Sequence, residues 1–519
     1  MEAILPALIS PIAISLACIL VVTLSWSVLK WVWFNPKRFE KILREQGFQG
    51  NPYRILYGDS KDKARMTMEA RSKPMSDLSN DHLPRTQPFY HHTVKNHGKR
   101  CIMWNGPTPM VNITEPEAIR EIFSKINEFQ KPQINPILNV VGTGLIQLEG
   151  DIWAKHRKLL NPAFHMEKLK FMLPAFSAST SEMINKWEEM VSESGSCEID
   201  VWSSHLHKLS ADVISRAAFG SSYEEGRRIF ELITEQLKVA VPIINQVYIP
   251  GWRYVPTKVN RRIMQLDREI KSLLKEIIKK RENAIKAGAK PKDDLLGVLL
   301  ESNSNKNHKI SISLEEVIDE CKIFFLAGQE TTSTLLAWTL ILLGKHQDWQ
   351  QRAREEVLNA FGDNTPDFHG LNQLKMVNMI LQEVLRLYPP IQELTRTVCK
   401  DIKVGDIFLP AGVLVNLPLL HVQHDESIWG SDAKEFKPDR FSQGMSKATN
   451  GKISFFSFGW GPRICIGSNF AMTEARLALV MILQRFSFEI SPSYAHAPAA
   501  ISTLQPQFGA PIILKQLSH

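Results

Sequence analysis

Apolar positions are distributed very unevenly along this chain. Residues 3 to 29 run for 27 positions without a charged side chain, long enough to cross a bilayer as a helix. Trp31, Trp33 and Phe34 follow at once, then the basic cluster Lys37, Arg38, Lys41 and Arg44. An aromatic belt and a positive flank therefore both lie after the span and put the remaining chain on the cytosolic side. A cleaved signal peptide is the poorer reading, because the run is too long, its basic residues lie on the wrong side and no small-residue cleavage site ends it. Between 30 and 60 a basic stretch closed by Gly47, Gly50 and Pro52 reads as a linker or hinge. From there to about 120 the chain is turn-rich, with short β-like runs at 100 to 104 and 110 to 113. From 150 to 390 the apolar spacing becomes helical, clearest over 205–219, 256–287 and the long apolar stretch 314–344. Extended, proline-punctuated segments return between 402 and 418 and near the C-terminus. With no repeat and no second compositional regime, the pattern predicts an anchor over 1–29, a basic linker over 30–60 and one folded domain over 61–519, mainly α with small β-sheets.

Composition narrows the class further. At 519 residues, 44% hydrophobic and 22% charged, the chain has material for a sizeable core and no disordered or fibrous bias. Its six cysteines (Cys18, Cys101, Cys197, Cys321, Cys399 and Cys465) are scattered, with no C-x-x-C pair, which points to free thiols in a reducing compartment. The Asn112-Ile113-Thr114 tripeptide is a glycosylation site only in a lumenal domain, so it is read as unmodified. The net charge of +8 is spread along the chain among 54 acidic residues. It therefore suits a membrane surface or an acidic protein partner better than nucleic acid.

The richest stretch for chemistry is Phe458-Gly459-Trp460-Gly461-Pro462-Arg463-Ile464-Cys465-Ile466-Gly467. A thiolate at Cys465 needs neighbours that stabilise its charge, and the backbone N–H groups of a glycine-rich loop leading into a helix can do so. A helical pattern over 469–484 follows at once. Phe458 can cover the sulfur from water, and Arg463 offers a fork to a carboxylate. A core cysteine in a turn is the plainer reading of any single cysteine. Glu383-Val384-Leu385-Arg386 puts opposite charges on one helical face, which taken alone describes an exposed pair worth under about 1 kcal/mol. Ala327-Gly328-Gln329-Glu330-Thr331-Thr332 places an acid and an alcohol inside an apolar helix. Burial there is costly, so they are expected to face a cavity or water, with Gly328 thinning the helix to admit a small ligand. Read alone, Glu330 is equally a core polar residue with a water partner. Trp153 and Arg157 share a helix face at i, i+4.

These four motifs, in this order, resemble those of the cytochrome P-450 monooxygenases across essentially the whole chain. The resemblance implies the P-450 fold behind an N-terminal transmembrane helix, and a haem b whose iron takes the Cys465 thiolate as axial ligand, with Phe458 and Arg463 on the same loop. It implies that Trp153 and Arg157 hold a haem propionate, with Arg396 as a further propionate arginine. Glu383 and Arg386, with Arg440 of Phe436-Lys437-Pro438-Asp439-Arg440-Phe441, would form a structural triad that holds the ligand loop. Glu330 and Thr331 would deliver protons during the activation of dioxygen. His156, His165, His421 and His424 then need no metal role.

A finer likeness lies in Asn35-Pro36-Lys37-Arg38, Ala154-Lys155-His156-Arg157-Lys158, Phe458-Gly459-Trp460-Gly461-Pro462-Arg463 and Gln505-Pro506-Gln507-Phe508-Gly509. These resemble the plant group that contains secologanin synthase, iridoid hydroxylases, triterpenoid oxidases and gibberellin oxidases, which implies an apolar terpenoid substrate. The usual Pro-Pro-Gly-Pro hinge is replaced by Gly47-Phe48-Gln49-Gly50-Asn51-Pro52, a change common in that group. The implied partners are NADPH-cytochrome P-450 reductase, O2, the membrane and an apolar small molecule, with no nucleic acid. The implied location is the endoplasmic reticulum membrane, single-pass, with the catalytic domain in the cytosol. Lys155 and Lys158 are candidate docking points for an acidic partner. Substrate contacts are implied around 124–150, 240–256, the start of the 314–344 helix, Ile391 to Leu394, and 500–505. Two rivals stand beside this reading: a same-fold isomerase or dehydratase, which tends to lack the acid and alcohol pair kept here, and a non-catalytic haem or small-molecule binding protein tethered to the membrane.

Overall fold

The computed structural model describes residues 4–517 except 134–135, 141, 193, 221–222, 245–246, 289–293, 305–310 and 450. The N-terminal apolar run is one helix, Ile4–Leu29, with no acidic residue in its first turn and no basic residue in its last. It continues through a π-helical turn at Lys30–Phe34 into Asn35–Glu45. Its apolar window has a mean hydropathy of 1.9 and none of it is buried by the rest of the molecule. Length and composition both suffice to cross a membrane.

The segment that follows departs from the expected linker over 30–60. Leu43 and Phe48 are fully buried, and Gln49–Gly50 pairs in parallel with Cys101 and Ile102. Glu40 is the local cause: it accepts from Lys37, Arg44 and the Tyr53 N–H and so folds the chain back on itself. The apolar residues set between the basic ones then join the core around Ile102, Val111 and Val415. The folded body thus begins before residue 61.

The strand at 49–50 is the edge of a six-stranded sheet whose order is 49–50, 101–105, 108–112, 414–417, 394–398 and 129–130. Its second and third strands are the two short runs read near 100–104 and 110–113, paired with Ile102 opposite Val111. A three-stranded sheet (486–490, 511–516, 196–200) and two hairpins complete the β-structure. The extended stretch expected over 402–418 is one of these hairpins, Ile402–Val404 with Ile407–Leu409, followed by the strand Leu414–Leu417.

Helices make up most of the body. His207–Phe219 begins after a π-helical turn, Trp202–Leu206, so the helical signal from 205 straddles two geometries. Lys258–Lys286 is amphipathic. Leu314–Lys345 opens on a capping box in which the Ser313 hydroxyl accepts from Glu316 N–H and the Glu316 carboxylate answers the Ser313 N–H. From Gln329 onward that helix is buried at nearly every position, because helices 207–219, 375–387 and 468–485 and the strand 486–490 pack around it. Enclosure on all sides explains why it is apolar all round rather than striped.

Two histidine sites tie the helices together. His156 sits between the carboxylates of Glu320 (Nδ1 to Oε1, 2.6 Å) and Glu316 (Nε2 to Oε1, 3.2 Å). Burial pulls its pKa down, but the two carboxylates outweigh that and hold it above the ordinary value. At the end of the 375–387 helix the case is reversed. His82 and His424 both donate from Nε2 to the Leu387 carbonyl at 3.0 Å, and burial pushes His82 down to about 3 and His496 to about 4. The unfolded chain takes up protons at these positions below its ordinary histidine pKa while the folded chain does not. Their stabilisation is therefore present above about pH 6.5 and is lost as pH falls toward 3 to 4, at roughly 1.4 kcal/mol per histidine per pH unit. Urea midpoints should decline steadily between about pH 7 and pH 5, and His82→Asn should flatten that decline; an equally steep decline in the variant would contradict the assignment.

Candidate active site

The loop around Cys465 is closed by its own backbone. Gly459 N–H donates to the Phe456 carbonyl at 2.7 Å, Cys465 N–H to the Phe458 carbonyl at 2.9 Å and Ile464 N–H to the Gly461 carbonyl at 3.0 Å. Gly461 has φ +70°, and a Cβ there would stand 3.0 Å from the Phe123 carbonyl oxygen, so only glycine suits both the turn and the close approach. The helix Ser468–Arg485 starts three residues after the cysteine and turns its free N–H groups toward that end of the loop. The Cys465 side chain keeps accessible surface although it lies deep in the molecule. Burial raises the thiol above its ordinary pKa, opposed by the Gly467 N–H and the Arg157 guanidinium. Coordination to a metal ion removes such a proton outright.

Behind the loop, the charged pair read from the sequence as an ion pair on one helical face is wholly enclosed. Arg386 donates to Glu383 through Nε and Nη2, both at 2.8 Å, and neither side chain is exposed. The remaining Arg386 donors reach the carbonyls of Gln423, Ala433 and Glu435. Glu383 also accepts from Lys437 N–H at 3.0 Å. Arg440 is less central than the triad implies. Its Nε is 3.7 Å from Glu383, while its hydrogen bonds go to Asp432 at 2.9 Å and the Trp429 carbonyl at 2.8 Å. Gln423 is the link that the sequence reading missed. Its amide donates to the Leu385 and Arg386 carbonyls, and its Oε1 accepts from Phe456 N–H and Ser457 Oγ, joining the 375–387 helix to the cysteine loop. A fully buried glutamine carries no motif, and only its partners reveal it.

Four cations crowd one side of the site. Arg463 pairs with the Glu149 carboxylate, donates to the Leu148 carbonyl at 2.8 Å and lies 4.4 Å over the Trp153 ring. Arg157 donates to the Ile464 carbonyl at 2.8 Å, holding the residue next to the cysteine. Arg396 lies over the Phe123 ring, and burial with Arg463 nearby lowers it to about 10. Lys131, a residue the motifs did not flag, is lowered to about 7 by burial and then by Arg463 and Arg396. Arg463 Nε and Nη1 are buried without a hydrogen-bond partner among the described residues. One carboxylate against four cations, with orphaned donors, is a donor set that fits a dianionic group, and the two propionates of a haem b meet that description. Trp153 and Arg157 do share a face, but the observed bonds give Trp153 to Arg463 and Arg157 to the loop backbone.

On the long helix, Leu326, Ala327, Gly328 and Thr331 keep partial exposure where the positions around them are buried. Gly328 serves a purpose other than the expected one: a Cβ there would meet Ile214 Cγ1 at 2.8 Å, so the missing side chain admits the 207–219 helix rather than a ligand. Thr331 Oγ1 donates to the Ala327 carbonyl at 2.8 Å. Glu330 is 9% exposed and accepts from Thr503 Oγ1 at 3.2 Å and Ser502 Oγ at 3.4 Å; burial raises its pKa, opposed by those two hydroxyls. Of the regions expected to meet substrate, 500–505 therefore does reach this helix. Part of 124–150 does too, through Thr143 to Asp319, Leu145 N–H to Glu320 and the Val140 carbonyl to Lys322. The 240–256 stretch is placed by Val247 against the turn at Gly106.

Comparison with known proteins agrees with this architecture. The cytochrome P450 family model matches residues 83–509. A cytochrome P450 of Panax ginseng, CYP72A219, is 55% identical over 96% of this chain and 98% of its own length. The echinocystic acid 23-monooxygenase of Saponaria officinalis is 51% identical over 97% and 99%. Among solved structures, a retinoic acid-bound cyanobacterial CYP120A1 superposes with a TM-score of 0.72 at 23% identity, covering 84% of this chain and 96% of that one; it shares the fold. The chain belongs to the cytochrome P450 family. It is a cytochrome P450 monooxygenase, of a family that works with haem iron held by a cysteine thiolate, dioxygen, a small-molecule substrate and a redox partner.

Proposed function

We propose that this protein is a membrane-anchored haem-thiolate monooxygenase that oxidises an apolar plant terpenoid, using O2 and electrons passed from NADPH by cytochrome P-450 reductase. The observation that carries the reading is the pairing of an accessible cysteine on a rigid loop with a surplus of buried cations beside it. Cys465 would hold the iron of a haem b, and Arg396, Arg463 and Lys131 would pair with its propionates. Trp153 supports Arg463, and Arg157 with Phe458 fixes the loop. Glu383, Arg386 and Arg440 keep that loop in register. When bound, the haem supplies the one- and two-electron chemistry that activates dioxygen. The chain's own part is to exclude water with apolar walls and to move protons at Glu330 and Thr331. Residues 1–29 anchor the chain in the endoplasmic reticulum with the body in the cytosol, and Lys155 and Lys158 on the 150–160 helix offer the reductase a basic face.

The terpenoid class is supported by the Saponaria relative, whose name specifies echinocystic acid. Membranes containing the protein and a reductase, supplied with echinocystic acid and a panel of iridoids and diterpene acids, should yield a product one oxygen atom heavier with matching NADPH use. Absence of substrate-dependent oxidation across all three classes would overturn the substrate reading. Thr331→Ala should keep the haem but lower the ratio of product to NADPH about tenfold; undiminished coupling would remove Thr331 from the proton path.

A further inference from the structure

Among the described residues no cation lies beside Glu330 and no charged side chain pairs with it. On its own helix, Asp319, Glu320 and Lys322 are bonded elsewhere. On the 207–219 helix that packs at Gly328, Lys208, Asp212 and Arg216 likewise pair with other groups, and the hairpin 498–506 carries no charged residue at all. Its partners are two hydroxyls at the tip of that hairpin, Ser502 and Thr503, which accompany the antiparallel strands Pro498–Ala500 and Leu504–Pro506. The tip is itself fixed to the long helix. Thr334 Oγ1 is 3.0 Å from Thr503 Oγ1, and Trp338 Nε1 donates to the Leu504 carbonyl at 2.6 Å. Thr331, by contrast, spends its hydroxyl on the Ala327 carbonyl.

We propose that Ser502 and Thr503 are positioning residues for proton delivery: they, rather than Thr331, are the direct hydrogen-bond partners of the Glu330 carboxyl, and they let it hold or release a proton without losing its contacts. The inference rests on the reading of Glu330 as a proton-delivering acid. A hydroxyl can donate to a carboxylate and accept from a carboxylic acid, whereas a lysine or arginine in the same place can only donate and would fix the ionised form. When Glu330 is ionised, Thr503 and Ser502 donate to it, while the Thr334 hydroxyl donates to the Glu330 backbone carbonyl at 2.7 Å and keeps its oxygen within reach of Thr503. When Glu330 is protonated, its O–H donates to one of the two hydroxyls. Both states are satisfied in the same geometry. One proton moves and no electron does: Glu330 gives its proton toward the reaction pocket and is reprotonated through Ser502, which keeps partial exposure next to the exposed Ile501. The raised pKa of Glu330 agrees with an acid that carries its proton often enough to deliver it.

The test uses the full-length haem-loaded protein and two readouts. Infrared difference spectra across pH, in H2O and D2O, should show a protonated carboxyl band that Glu330→Gln removes. Thr503→Val and Ser502→Ala should shift that band and move its titration upward, because each removes a donor to the ionised form, and Thr503→Ser should restore the native position. Product formed per NADPH, with echinocystic acid as substrate, should fall about three- to tenfold in Thr503→Val and recover in Thr503→Ser. A band and titration identical to wild type in both Thr503→Val and Ser502→Ala overturn the proposal, as does the absence of any band lost in Glu330→Gln. Full coupling in Glu330→Gln would sink the proton-delivery reading itself. Loss of coupling in Glu330→Gln with native coupling in both hydroxyl variants would sink this inference alone.

Discussion

Replacing Cys465 by serine is expected to bring oxygenase turnover to background while leaving the fold in place. The loop that carries the residue is closed by backbone bonds from Gly459, Ile464 and Cys465 itself, and by Arg157 on the Ile464 carbonyl, and none of these uses the sulfur. A serine hydroxyl has nearly the same size, so the loop should close as before. It is a poor axial donor, however, because it does not ionise near neutral pH and lacks the polarisable sulfur that pushes electron density onto the iron. Far-ultraviolet circular dichroism should therefore match wild type while NADPH-dependent product formation disappears. Retained turnover would mean that another residue holds the cofactor.

Glu383→Gln is expected to act through the fold instead. Glu383 and Arg386 are both fully buried, and among the described residues Glu383 is the one carboxylate paired with Arg386, whose other contacts are three neutral carbonyls and the face of the Trp429 ring. Removing one partner leaves an uncompensated buried charge, a loss of about 3–5 kcal/mol. The loss should travel to the haem loop, because the Gln423 amide joins the Arg386 carbonyl to Phe456 and Ser457. The variant should purify with little or no haem and unfold at a much lower urea concentration. A Gln423→Leu variant, which cuts the link but keeps the ion pair, should lose haem with a smaller loss of stability. Native haem content in Glu383→Gln would show that the pair does not hold the loop.

The sequence disclosed this protein in proportion to how local each feature is. The apolar run at the N-terminus, the helix expected over 314–344 and the glycine-rich cysteine loop are defined by neighbours in the chain, and each appears where the pattern puts it. Features that depend on distant partners were not legible. The stretch around Phe48 reads as a basic linker because its burial is supplied by a strand some fifty residues away. Gly328 reads as room for a ligand, yet Ile214 takes the space. Lys131 and Gln423 belong to no motif: Lys131 acquires meaning only from Arg396 and Arg463, far along the chain, and Gln423 only from two segments on either side of it, 385–386 and 456–457. Glu330 shows the same limit: its place beside Thr331 in the chain suggested a joint partner, whereas the structure turns it to the C-terminal hairpin.

Whether Cys465 presents a thiolate to haem iron is read from the carbon monoxide difference spectrum of the reduced full-length protein. Wild type should give the red-shifted band of a thiolate-ligated carbonyl complex, and Cys465→Ser should lose it. A thiolate band that persists in the serine variant would contradict the ligand assignment.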